Sequence, residues 1–378
     1  MNEKIVKEEK MRSNSGKYAR IFVCLMAVLY LGGVLCVFGK PETEYSDTER
    51  RRLTGMPEFA WEELWSGEYV EELEKYMTDQ FPLRDGFRYL KTNFSLNIMQ
   101  KQDTGNIYVK DGYLCKMEYP MDEDSIYRAT LIFENLYEKY LKDTKVSPYI
   151  AIVPDKNYFL AGEGVLAMDY EEFFGQIYEK TPHFTPISIA GQLQLTDYYR
   201  TDTHWKQEEI IDVADTLAEE MKVPFEGDFE VKNTEIPFYG VYYGQVGLNL
   251  PPDDISYCTN EMLENCYVYD YENDKEIVLY DVSNGASRDP YEMFLGGNIS
   301  LATIENEDAL SDKELVVFGD SFSRSLLPLL AGSYQKITLL DIRYLSASQV
   351  GKYVAFTDQD VLFLFSTSVI NNSVTLKK

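Results

Sequence analysis

A chain of 378 residues, 45% hydrophobic and 14% aromatic, can bury one large core or two smaller ones, which excludes an intrinsically disordered protein. Its formal net charge is −27; residues 1–20 carry six Lys/Arg against three acids, a local +3, so the remainder carries −30. That surface repels nucleic acid and anionic lipid, and excludes both as general partners of the main domain.

Ile21–Phe38 is 18 residues without a charge, the lower end of what spans a bilayer as a helix. Basic residues precede it and acids follow it, so the positive-inside rule sets residues 1–20 as a cytoplasmic tail, 21–38 as an anchor and the rest as extracytoplasmic. A cleavable signal peptide is the alternative. No small-x-small site follows the apolar run, and Leu35 before Cys36 makes a poor lipobox, which favours the uncleaved anchor. Residues 39–56 read as a polar linker and 57–378 as the main domain. Of the three exported cysteines, Cys258 and Cys266 could close a short disulfide, leaving Cys115 odd. No CxxC pair or His/Cys cluster suggests zinc.

Trp61–Tyr76 has helical apolar spacing, and Gly86–Met99 resumes it after a break at Phe81-Pro82. Asn106–Lys116 alternates around Asp111-Gly112, a hairpin signal. Asp124–Lys142 reads as a long helix, Pro148–Val153 as a first core strand, and Gln207–Met221 as a helix with Ile210, Val213, Ala214 and Leu217 on one side. Residues 222–300 read as a β-rich excursion, with Tyr239–Gly244 and Tyr267–Tyr271 strand-prone. Leu315–Phe318, Ile337–Ile342 and Val361–Phe365 are apolar strands. Strand–helix alternation of this kind predicts an α/β fold on a mostly parallel sheet flanked by helices.

Two stretches carry chemistry. In Gly319-Asp320-Ser321, a tight turn joins a buried strand to a helix starting near Phe322. Ser321 then stands at the strand's carboxyl end, the ligand edge of open α/β sheets, beside the free N–H groups of a helix start. It is either a helix cap or a nucleophile. The second stretch is Thr201-Asp202-Thr203-His204-Trp205, which holds one of only two histidines. If it is extended, Asp202 and His204 share a face, so the carboxylate can orient the imidazole while Trp205 packs away from it. Asp197 is a less well spaced second acid. His183 has no acid beside it in sequence and reads as an ordinary histidine.

Taken together the motifs resemble the DHHW-type proteins, relatives of the alginate O-acetylation proteins with an SGNH-hydrolase-like domain. The resemblance rests on the anchor and on Glu49-Arg50-Arg51-Arg52-Leu53, Asp79-Gln80-Phe81-Pro82-Leu83-Arg84, Ile107–Leu114, Pro154-Asp155-Lys156, Thr201–Trp205, Gly319–Phe322 and Asp341–Tyr344, in one order along nearly the whole chain. One departure is Thr203, where the signature has histidine. The resemblance implies Ser321 as nucleophile, His204 as base and Asp202 as orienting acid, with acid and base preceding the serine. It implies an O-acetyltransferase acting on an exported or cell-surface polysaccharide, supplied with acetyl groups by a multi-spanning membrane acyltransferase, with no cofactor and no metal. A carbohydrate acetylesterase using the same residues, and a non-catalytic sugar-binding or scaffold protein, are the rival expectations. Gly297 and Asn298 are candidates to face an oxyanion, as glycine and asparagine do in SGNH enzymes, or form a plain turn. Lys156, Tyr158, Arg324 and Arg343 stand at strand ends or beside Ser321 and are candidates for substrate contact.

Overall fold

The computed structural model describes residues 2–46, 48–285 and 289–378, the side chains of 2–16, 284 and 285 excepted. It divides into two compact units, Met1–Ile98 and Met99–Lys378.

In the first unit, helix α1 (Asn2–Gly39) contains Lys17–Gly39, which is long and apolar enough to cross a membrane. A short antiparallel pair follows, β1 (Tyr45–Ser46) and β2 (Arg51–Arg52). The single helix expected over Trp61–Tyr76 is divided into α2 (Trp61–Ser66) and α3 (Glu68–Asp79). Gly67, at φ 90°, makes the break, a left-handed conformation that glycine adopts without steric cost. Helix α4 (Arg84–Asn93) runs on through a π-helical turn at Phe94–Ile98.

The second unit opens with the hairpin β3 (Ile107–Lys110) and β4 (Tyr113–Lys116). Asp111 and Gly112 turn it with φ of 49° and 84°, the positive pair that a two-residue hairpin loop of this twist requires. Helix α5 (Glu123–Leu136) is capped by Asp122, whose carboxylate accepts from Ser125 N. Next come β5 (Ser147–Val153), α6 (Tyr170–Lys180), β6 (Thr185–Pro186) and α7 (Ile211–Glu220).

The 222–300 region, described apart from 286–288, does two things. It forms a hairpin of β7 (Glu230–Phe238) and β8 (Asp253–Thr259), with helix α8 (Val241–Val246) in its connection. It then supplies β9 (Tyr267–Asp270), β10 (Lys275–Ile277) and a short helical turn α9 (Val282–Gly285). Tyr239–Gly244, strand-prone by composition, is therefore mostly helix. The chain closes with β11 (Leu301–Glu305), β12 (Glu314–Gly319), α10 (Phe322–Leu330), β13 (Lys336–Leu340) and β14 (Asp360–Ser366).

The eight-stranded sheet has the order β10-β9-β11-β13-β12-β14-β5-β6. The strands from β13 to β6 run parallel, and β11, β9 and β10 extend one side antiparallel. Side chains alternate between two cores. Ala151, Val153, Leu315, Val317, Leu362 and Leu364 join α7 and α10 on one face. Ile150, Ile152, Val316, Phe318, Phe363 and Phe365 join α5 and α6 on the other. Helices thus cover both faces, which is why these strands read as unbroken apolar runs. Cys115, Cys258 and Cys266 all carry free thiols, so the possible Cys258–Cys266 bridge is not formed.

Candidate active site

Ser321 sits between β12 and α10, at the carboxyl end of the parallel strands. The turn is fixed by its neighbours. A Cβ on Gly319 would stand 2.7 Å from Ser323 Oγ, so only glycine fits there. Asp320 is buried and accepts from Phe322 N (3.0 Å) and Ser366 N (2.8 Å), tying the turn to β14. Ser321 makes no side-chain cap to α10. Its own N–H makes no intrachain hydrogen bond among the described residues, leaving a donor beside its hydroxyl.

His204 Nε2 lies 2.7 Å from Ser321 Oγ, and His204 Nδ1 lies 2.6 Å from Asp202 Oδ1. An ionised carboxylate only accepts, so Nδ1 carries the proton. Nε2 is then the acceptor and Ser321 Oγ–H donates to it.

Asp202 and His204 meet by a different route from the one their spacing predicts. The segment between the Tyr198–Trp205 bridge partners is a bend, not a strand. Asp202 Oδ1 also accepts from His204 N at 3.0 Å, so the carboxylate turns the chain back on itself two residues on. The same oxygen therefore holds both the backbone and the ring of His204.

The loop is clamped from two sides. The buried Asp253 carboxylate accepts from Arg200 N and Nε (3.0 and 3.2 Å) and from Thr201 N and Oγ1 (2.8 and 2.6 Å). Helix α8 presents its amino terminus: Val241 N donates to Asp202 Oδ2 at 2.7 Å, and Tyr242 N and Tyr243 N donate to Thr201 O. The dipole of a helix start favours the charge on Asp202. Gly240 allows the approach, since a Cβ there would stand 2.3 Å from Asp202 N.

The imidazole is also held from its face. Tyr291 stacks on His204 with centroids 3.9 Å apart and planes at 8°. The Tyr291 hydroxyl pairs with Ser325 Oγ at 2.8 Å, and Trp205 Nε1 donates to the same oxygen at 2.9 Å. Trp205 is fully buried, as its position beside His204 predicts.

The remaining candidates fall in several places. Lys156 is 3% exposed and donates to the carbonyls of Tyr199 and Arg200 (2.9 and 3.3 Å), anchoring the loop before Asp202. Burial pulls its ammonium down to about 8. Tyr158 packs in an aromatic group with Phe159, Tyr170 and Phe174. The Gly297 N–H is bonded to Phe294 O. Asn298 donates to Glu292 Oε1 (3.0 Å) and accepts from Arg324 Nη2 (2.7 Å), so Arg324, buried three residues after Ser321, is tethered to the glycine–asparagine turn. Arg343 forks onto Asp341, at 2.6 Å for Nη2–Oδ2. Asp197 accepts from Gln194 N, and His183 pairs with Glu134 and stacks on Tyr137. Among the described residues no group of three His, Cys, Asp or Glu side chains is arranged to hold a metal ion.

Asp253, Gly240, Tyr291 and Ser325 carry no local sequence signal that ties them to the site. The first three sit in the β-rich excursion, 37 or more positions from the groups they hold. Only the glycine within an aromatic run hinted at a close approach.

Fold and geometry define an α/β domain on a mostly parallel sheet that carries a hydrogen-bonded Ser-His-Asp chain at the carboxyl end of its strands. No protein-family profile and no curated sequence matches this chain. Among solved structures, a DHHW family protein from Eubacterium siraeum is similar with a TM-score of 0.58 at 20% identity, over 73% of this chain and 97% of that one. Bacillus cereus PatB1, solved with a sulfonyl adduct, is similar with a TM-score of 0.59 at 19% identity, over 72% and 98%. The fold is thus shared with a DHHW family protein, the likeness that the sequence motifs carry.

Proposed function

We propose that this chain is an extracytoplasmic O-acetyltransferase acting on a cell-surface or exported polysaccharide through an acyl-enzyme on Ser321. The observation that carries the proposal is the continuous hydrogen-bonded chain from Ser321 Oγ through His204 to Asp202. In the first step Oγ attacks the acetyl carbonyl of the donor while His204 Nε2 takes its proton. The Ser321 N–H lies beside the oxyanion that forms. Collapse expels the donor's leaving group, which receives the proton from His204, and leaves acetyl-Ser321. A sugar hydroxyl then loses its proton to His204, attacks the acetyl carbon and departs as the ester, and His204 returns the proton to Ser321. Asp202 orients the imidazole and stabilises its charged form throughout. The resemblance to the alginate O-acetylation relatives supports transfer to a sugar, with acetyl groups delivered by a multi-spanning membrane acyltransferase. Lys17–Gly39 anchors the chain, and its basic flank sets the amino terminus in the cytoplasm.

The test is Ser321→Ala in the full chain, assayed with an activated acetyl ester and oligosaccharide acceptors. Acetyl transfer is lost while the fold, read by circular dichroism, is kept; unchanged turnover rejects the assignment. Free acetate in place of acetylated sugar would make the enzyme an esterase. PatB1 has been solved with a sulfonyl adduct. A sulfonyl fluoride should accordingly add one sulfonyl group to this chain at Ser321. A wild-type chain left unlabelled would support the sugar-binding or scaffold reading.

A further inference from the structure

A groove of about 700 Å3 opens in the unit of residues 1–98, and the proposed reaction makes no use of it. Its size falls within the ~300–1,000 Å3 of small-ligand sites. Leu73 and Met77 of α3, Phe81, Phe87 and Tyr30 of α1 build its apolar wall. Arg84, Arg88 and Lys91 also line it.

Tyr30 decides what surrounds the groove. It lies inside Lys17–Gly39, nine residues before the end of that span, about 14 Å at 1.5 Å per residue. The packing continues towards the end of the span. Phe81 lies 3.2 Å from where a Cβ on Gly33 would stand, Val37 is buried, and the rings of Phe38 and Tyr76 are 6.1 Å apart. Helices α3 and α4 therefore lie along the carboxyl-terminal part of the anchor, and a bilayer that holds Tyr30 also holds the mouth of the groove. The α4 side of the neighbouring surface fits that setting, while α3 exposes Glu71, Glu72 and Lys75. Leu83, Phe87, Leu90, Phe94 and Ile98 recur every three or four residues and are all more than half exposed. Such a stripe in water is unfavourable; at a membrane interface it is buried.

We propose that the groove binds one membrane phospholipid, its acyl chain against the apolar wall and its phosphate at Arg84, Arg88 and Lys91. The proposal rests on reading α1 as a membrane anchor. Arg84 and Arg88 are already oriented by Glu49, at 2.7 and 3.0 Å. Lys91 makes no ion pair among the described residues. The lining also includes Glu74, and Glu49, Asp79 and Asp85 stand within 4 Å of Arg84 or Arg88, so Lys91 is the cation of the three whose charge no ion pair among the described residues offsets. The chain's overall acidity disfavours a broad anionic surface but not one phosphate seated on Lys91, with the two paired guanidinium groups donating beside it.

The experiment uses the full chain in nanodiscs of phosphatidylcholine or phosphatidylglycerol doped with a phospholipid bearing a photoactivatable acyl chain. After irradiation, crosslinks should map to peptides within residues 70–91 as well as to α1. Native mass spectrometry after detergent extraction should find a phospholipid retained on the chain. Thr78→Trp, which fills the groove from an exposed position, should lower retention roughly tenfold, a loss of about 1.4 kcal/mol. Crosslinks confined to α1, or equal retention by Thr78→Trp, would overturn the lipid site while leaving the anchor reading intact. A chain that an alkaline wash strips from membranes would overturn the anchor reading itself, and the lipid site with it.

Discussion

Ser321 stands where a capping serine would stand, yet its side chain bonds no N–H of the helix it precedes; its hydroxyl points to His204 instead. Of the two roles its position allows, the side-chain cap is therefore not made. The histidine is held with equal care: one edge by Asp202, one face by Tyr291, whose hydroxyl is itself fixed by Ser325. A stacked ring pair contributes ~0.5–1.5 kcal/mol, so Tyr291→Leu should lower kcat of the proposed acetyl transfer roughly two- to tenfold, with KM little changed. Tyr291→Phe keeps the ring and loses only the Ser325 bond, so it should recover most of that loss. Equal rates for the leucine variant and the wild type would show that the ring does not position the imidazole. Tyr291 could not be singled out from sequence: with 30 tyrosines in the chain, nothing local marks the one that reaches a histidine 87 positions away.

At the scale of elements, what was legible is what is periodic or punctuated. The β12–turn–α10 unit could be read because an apolar run, a glycine and a serine follow one another within a few residues. The Asp111-Gly112 hairpin was legible because the turn demands those two residue types. The Asp202–His204 pairing was anticipated on the wrong local geometry. Strand pleating and an aspartate turn both bring residues i and i+2 together, and spacing alone does not tell them apart. The α8 support was illegible because tertiary contact overrides strand propensity: valine and tyrosine favour strands, yet Val241–Val246 is helical where its N–H groups meet Asp202 and Thr201. Gly240 carries a direct test of that support. Real Cβ contacts do not reach 2.3 Å, so Gly240→Ala must push α8 away from Asp202 and lengthen the Val241–Asp202 bond. Losing a hydrogen bond to a buried carboxylate costs ~1–3 kcal/mol, so kcat should fall roughly ten- to hundredfold, with a lower melting temperature. A variant with wild-type kcat would mean that α8 does not hold the acid.

At the scale of the molecule, the parallel core of the sheet followed from strand–helix alternation, whereas the antiparallel extension by β9, β10 and β11 did not, because these short strands are joined by turns and short helical turns rather than by long crossover helices. The same sheet buries a charge that the proposed chemistry does not use. Asp155 follows β5 and accepts hydrogen bonds from Tyr170 (2.8 Å) and Thr367 (2.5 Å), the latter just beyond the neighbouring strand β14. Burial, with Glu118 adding to it, pushes its carboxyl up to about 6, although the hydrogen bonds pull the other way. Because the folded value lies above the ordinary 3.8, the folded state holds this proton more tightly than the unfolded chain does. The stability this confers is fully present below pH 3.8 and is lost as pH rises through about 6. A shift of that size corresponds to on the order of 3 kcal/mol. Asp155→Asn removes the titration, so the difference in unfolding free energy between wild type and variant should fall steadily between those two pH values and then level off. Urea unfolding of the 99–378 unit within the full chain, repeated across that range, measures it. A difference that stays flat, or that grows with pH as it would for a carboxylate stabilised in its charged form, would show that Asp155 is held ionised by its hydroxyl partners.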